Sequence, residues 1–116
     1  MHDRGRADQL KREQDRFVRI VSAEMDPERI IVFGSGASGE IGEWSDLDVV
    51  VVMETELPYL QRSKVILRLV SPKVTLDLFV YRPEEWDEIR RTRPFIRHEM
   101  DAKGTVVYER RGAHVG

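Results

Sequence analysis

Apolar residues recur at two spacings along the chain, and the spacing separates helices from strands. Residues 5–25 place apolar side chains at helical intervals between charged ones, which predicts an amphipathic helix that ends at Asp26-Pro27. The β-branched and aromatic run from Arg29 to Phe33 stops at a glycine-rich segment, as a strand that leads into a turn does. The segment from Asp46 to Met53 contains four consecutive valines, which predicts a central strand covered on both faces.

The second half of the chain shows the same two spacings. Leu57–Val70 is predicted to be a helix that packs one face on the sheet. Val74–Tyr81 is predicted to be a strand whose residues alternate between two faces, so that Asp77 and Phe79 share one of them. The remaining predicted elements are two helices and a strand, at Pro83 to about Arg91, Pro94–Lys103 and Thr105–Glu109. The predicted order is α-β-β-α-β-α-α-β.

This order of elements, without internal repeats or linkers, predicts one α+β domain over residues 1–116. The net charge of −2 argues against direct binding to nucleic acid, which needs an excess of basic residues. The absence of cysteine excludes thiolate metal sites, so any metal must have oxygen or imidazole ligands. The longest apolar stretch, Val49 to Met53, is far shorter than the roughly 20 residues of a membrane span. We therefore expect a cytoplasmic protein.

Asp46 and Asp48 are separated by one residue at the start of a predicted strand, so both should project from the same face. Two carboxylates this close repel each other, and a divalent cation is the simplest compensation. Magnesium suits such a site because it favours carboxylate, water and phosphate oxygens. Asp77 adds a carboxylate to an otherwise apolar strand. If that strand neighbours the second, three carboxylates converge and can hold two divalent ions.

Gly34 and Ser35 follow the first strand, where backbone N–H groups and a hydroxyl can approach an anion closely. The segment Gly34-Ser35, ten further residues and then Asp46-Leu47-Asp48 resembles the signature of the nucleotidyltransferase fold related to DNA polymerase beta. Together with the strand around Asp77, it is most similar to the minimal nucleotidyltransferase (MNT) group. The resemblance covers a core at residues 29–110 and leaves an N-terminal helix, residues 1–28, outside it.

The resemblance implies a small mixed β-sheet flanked by helices, and transfer of a nucleoside monophosphate from a magnesium-bound triphosphate to a hydroxyl. Mn²⁺ is an expected substitute for Mg²⁺, and ATP is the expected donor. Asp46, Asp48 and Asp77 would bind the metals, Asp77 would also act as base, and Gly34 and Ser35 would bind the phosphates. Several members of the group are antitoxins paired with a HEPN-domain toxin, which implies a HEPN-type protein as partner and acceptor.

Two alternatives stay open at this point. The carboxylates could be structural, with Ser45-Asp46 forming a turn or cap and Asp77 paired with an arginine. The chain could also be a binding module that neutralises its partner by contact with little or no catalysis. Ser38 favours the second alternative, because many relatives have an arginine there that could bind phosphate through two hydrogen bonds. Trp44 could stack on a base or be a structural aromatic.

Overall fold

The computed structural model describes residues 3–33, 46–94, 96–98 and 104–110. Three helices and four strands have defined bounds: α1 Asp3–Met25, β1 Arg29–Phe33, β2 Leu47–Val52, α2 Tyr59–Val70, β3 Leu76–Tyr81, α3 Pro83–Thr92 and β4 Gly104–Glu109. Each was predicted from the sequence, with ends that differ by at most two residues. Of the helix predicted for Pro94–Lys103, residues 94 and 96–98 are helical and the rest lie outside the described residues.

The four strands form one mixed sheet in the order β3-β2-β1-β4. β1 pairs antiparallel with both β2 and β4, whereas β2 and β3 are parallel. A parallel pair needs a crossover connection, and α2 supplies it by returning the chain to the start of the next strand. The predicted fold class, a small mixed sheet flanked by helices, is therefore confirmed.

Every residue of β2 is buried, because helices cover both faces of this part of the sheet. Val49 and Val51 point towards α1 and α2, where Phe17 and Ile66 belong to the same apolar core. Val50 and Val52 point the other way and pack in a second core, whose largest buried side chain is Trp86 of α3. The four valines thus serve two cores at once, as the prediction of a central strand requires.

Arg62 of α2 is a buried charged residue that connects three elements. Its Nε donates to the carbonyl oxygen of Leu57 at 2.9 Å, and its Nη1 donates to that of Val80 in β3 at 3.1 Å. Nη1 and Nη2 also donate to the two carboxylate oxygens of Glu85 in α3, at 2.7 and 3.3 Å. These bonds hold the start of α3 against the edge of the sheet. No helix in the described part of the chain is long and apolar enough to cross a membrane.

Candidate functional site

Asp48 and Asp77 lie directly opposite each other in the parallel register of β2 and β3. Side chains alternate along a strand, so Asp48 shares its face with Val50, and Asp77 shares its face with Phe79. Val50 and Phe79 both pack in the core beneath α3. The two carboxylates therefore project from the same face of the sheet, side by side, and the adjacency on which the predicted site depends is present.

The register places two carboxylates close together on one face of the sheet. Asp48 is only 2% exposed and Asp77 is half-buried. Neighbouring strands are about 4.8 Å apart, and like charges directly opposite each other destabilise a sheet. Among the described residues, none pairs with Asp77 through a hydrogen bond or an ion pair. The alternative in which an arginine neutralises Asp77 therefore does not hold within this part of the chain.

Asp46 has a different environment from the other two carboxylates. It immediately precedes β2, and its Oδ2 accepts a hydrogen bond from the backbone N–H of Thr75 at 3.2 Å. The carbonyl oxygen of Thr75 in turn accepts the backbone N–H groups of Asp46 and Leu47, at 3.0 and 3.2 Å. Asp46 thus fixes the start of β2 against the segment that leads into β3. Since an ionised carboxylate has about four acceptor positions, this structural bond is compatible with metal ligation.

Of the three predicted metal ligands, Asp48 and Asp77 form an adjacent pair, and Asp46 is held separately two residues before Asp48. No cluster of three or more acidic or histidine side chains is assembled for a metal ion in the described ranges. Asp48 and Asp77 are adjacent across two strands, and Asp46 is anchored to Thr75 two residues before Asp48. This donor set fits Mg²⁺, which usually takes one or two protein carboxylates and keeps several waters. Metal binding by Asp46, Asp48 and Asp77 remains a prediction.

The predicted phosphate-binding residues, Gly34 and Ser35, lie outside the described residues, as do Ser38 and Trp44. The structure does describe Phe33, the residue immediately before Gly34. Phe33 ends β1 directly opposite Asp48 in the antiparallel register. The chain therefore leaves β1 beside the carboxylate pair, which is where a phosphate-binding turn would have to begin.

An apolar cleft adjoins the carboxylates on the same face of the sheet. Its volume is about 70 Å³, and it is lined by Phe33, Val50, Phe79, Tyr81, Trp86 and Ile96. The ring of Tyr81 stacks on that of Trp86 at 5.7 Å between centroids. Burial and a hydrogen bond with Tyr59 raise the pKa of Tyr81 well above its ordinary value, so its phenol stays neutral. The sequence did not predict this cleft, although the alternation of β3 had already placed Phe79 and Tyr81 on the face of Asp77.

Comparison with known proteins agrees with this geometry. Residues 14–102 match the nucleotidyltransferase domain family. The fold is similar to a crystal structure of a "putative nucleotidyltransferase" from Sulfolobus solfataricus, with a TM-score of 0.54 and 19% identity over 92% of this chain and 88% of that one. No curated protein matches the chain. At this identity the structural likeness establishes the fold, and the match over most of the chain establishes the family: the protein belongs to the nucleotidyltransferase domain family.

Proposed function

We propose that this protein is a magnesium-dependent nucleotidyltransferase that moves AMP from ATP to a hydroxyl on a partner protein. We further propose that it acts as the antitoxin of a HEPN/MNT pair, with the HEPN-type toxin as that partner. Membership of the family supports nucleotidyl transfer in general. The observation that carries the proposal for this chain is the juxtaposition of Asp48 and Asp77 on adjacent parallel strands, one buried and the other half-buried.

Asp46, Asp48 and Asp77 would hold the metal, with Mn²⁺ able to replace Mg²⁺. When bound, the ion supplies positive charge that neutralises the triphosphate and the charge developing during transfer. Asp48 is suited to be a fixed ligand, because its burial keeps its carboxylate in one environment. Asp46 is held in place by its bond with Thr75.

Asp77 is suited to be the base. It is half-buried, and β3 is at the edge of the sheet formed by the described strands, so a macromolecular acceptor can approach it from beyond that edge. In the reaction, the acceptor hydroxyl gives its proton to the Asp77 carboxylate and its oxygen forms a bond to the α-phosphorus. The bond from that phosphorus to the bridging oxygen breaks, and pyrophosphate leaves. Gly34 and Ser35 would bind the phosphates during this exchange.

Label transfer from ATP to the partner tests the proposal. The protein is incubated with a HEPN-type protein, Mg²⁺ and ATP labelled either at the α- or at the γ-phosphate. We expect the α-label to become covalently attached to the partner and the γ-label to appear only in pyrophosphate. Attachment of the γ-label would indicate phosphoryl transfer instead. Inhibition of the partner without any attached label would support the binding module with little or no catalysis.

A further inference from the structure

We propose that the apolar cleft beside Asp48 and Asp77 binds the base of the nucleotide, and that the indole N–H of Trp86 donates a hydrogen bond to it. The proposal rests on the proposed function, because it needs a nucleotide whose phosphates lie at the carboxylates. It goes further by assigning a role in nucleotide binding to residues outside the predicted metal and phosphate sites.

The cleft lies next to the carboxylates along the same strands. Phe33 is the register partner of Asp48, while Val50 and Phe79 lie two residues beyond Asp48 and Asp77 on their strands. Two residues of a strand span about 7 Å, which is roughly the length of a ribose. A nucleotide with its α-phosphate at the carboxylates therefore brings its base to this cleft if it extends along the sheet.

The lining of the cleft suits a flat aromatic ligand. Its six side chains are apolar or aromatic, which suits the faces of a flat ring. The rings of Tyr81 and Trp86 are stacked with an angle of 25° between them, and the centroid of the Tyr59 ring lies 5.6 Å from that of Tyr81. The stacked rings of Tyr81 and Trp86 form an aromatic wall of the cleft.

Within the residues that the structure describes, Trp86 carries an unsatisfied hydrogen-bond donor. Trp86 is 2% exposed, and in the described part of the chain its Nε1 is buried without a hydrogen-bond acceptor. Buried tryptophan N–H groups usually have a partner, so an unpaired one on a side chain that lines a cleft calls for an acceptor. Nucleobases carry ring nitrogens and carbonyl oxygens that accept hydrogen bonds, whereas an apolar side chain from a protein partner carries none. The lone donor therefore favours a base as the occupant.

The test compares ATP with tripolyphosphate, which has the same phosphates but no base. Calorimetry in Mg²⁺ gives the Kd of each for the parent and for Trp86→Phe, which keeps an aromatic ring but cannot donate a hydrogen bond. We expect Trp86→Phe to weaken ATP binding roughly 3- to 10-fold, the range for one lost hydrogen bond, and to leave tripolyphosphate binding unchanged. An unchanged Kd for ATP would overturn the proposal.

A second measurement does not depend on the folding of that variant. The chain has two tryptophans, so Trp44→Phe leaves Trp86 as the only one. We expect ATP to change the fluorescence of Trp86 and tripolyphosphate to leave it unaltered; equal responses would contradict base binding in the cleft. If neither compound binds the parent protein, the proposed function fails as well. If Trp86→Phe lowers transfer to the partner but not ATP binding, the cleft contacts the acceptor and the assignment to the base is wrong.

Discussion

Arg62 offers the sharpest test of how this fold is held together, and Arg62→Met is the change to make. Methionine preserves much of the apolar stem but removes four hydrogen bonds, two of them to Glu85. The carbonyl oxygen of Val80, in a residue only 1% exposed, then loses the bond from Arg62. Glu85 loses one of its two arginine partners, but the Arg82 guanidinium stays 3.7 Å from its Oε2. The Glu85 side chain is also one-third exposed and keeps the backbone N–H of Arg82 at 2.8 Å.

Removing one partner of a buried ion pair typically costs about 3–5 kcal/mol. Since Glu85 can regain water, we expect Arg62→Met to lower the free energy of unfolding by an amount near the low end of that range, about 3 kcal/mol. Urea denaturation in EDTA, followed by far-UV circular dichroism, measures the difference.

Arg91→Met is the matched control for this experiment. Arg91 also pairs with a glutamate of α3, Glu88, but the two side chains are 67% and 59% exposed. Exposed pairs contribute little, so this variant should stay within about 0.5 kcal/mol of the parent. If Arg62→Met were destabilised no more than Arg91→Met, the Arg62 network would not hold α3 in place.

Three further predictions concern the ion pair and the candidate site. The hydrogen bonds from Arg62 lower the pKa of Glu85 below its ordinary value of 4.5. The stabilisation that they give is therefore present above pH 4.5 and is lost as the pH falls through the pKa of Glu85 in the folded state. Urea melts should show the difference in free energy of unfolding between the parent and Arg62→Met shrinking over that pH range. Mg²⁺ with ATP should raise the melting temperature, because a ligand that binds only the folded state stabilises it, and no shift at millimolar concentrations would count against the site. Asp77→Asn should abolish label transfer while largely retaining ATP binding, and in EDTA it should be at least as stable as the parent because it removes a charge opposite Asp48. Equal loss of binding and transfer would show that Asp77 is not mainly the base.

The strands and the two faces of β3 could be predicted because their causes are local. Alternation of apolar side chains fixes which residues share a face, so the sequence alone predicts that Asp77 and Phe79 lie on the same face. The adjacency of β2 and β3 could only be stated as a condition, because strand order depends on how α2 packs. That condition is met in the parallel register.

Arg62 and the cleft could not be predicted, for a different reason. Arg62 pairs with a residue 23 positions away, and an arginine in an amphipathic helix ordinarily points to solvent. Trp86 becomes part of the cleft only because α3 folds back over the sheet, and the chain after α3 places Ile96 at the same surface as Phe33. Both features depend on tertiary packing. The spacing of residues along one segment does not show which other segments will pack against it.

The parallel pairing of β2 and β3 is what makes the candidate site possible in so short a sheet. Asp48 and Asp77 are each the second residue of their strand, so a parallel arrangement brings them to the same edge. An antiparallel hairpin with its strands fully paired would place the start of one strand beside the end of the other and separate the two carboxylates. A slip of one residue would turn Asp77 towards Ile66 and the α2 core, where an ionised group has no compensation. The strong apolar alternation of Leu76, Leu78 and Val80 opposes that slip, so the same residues that build the core also keep Asp77 on the face of Asp48.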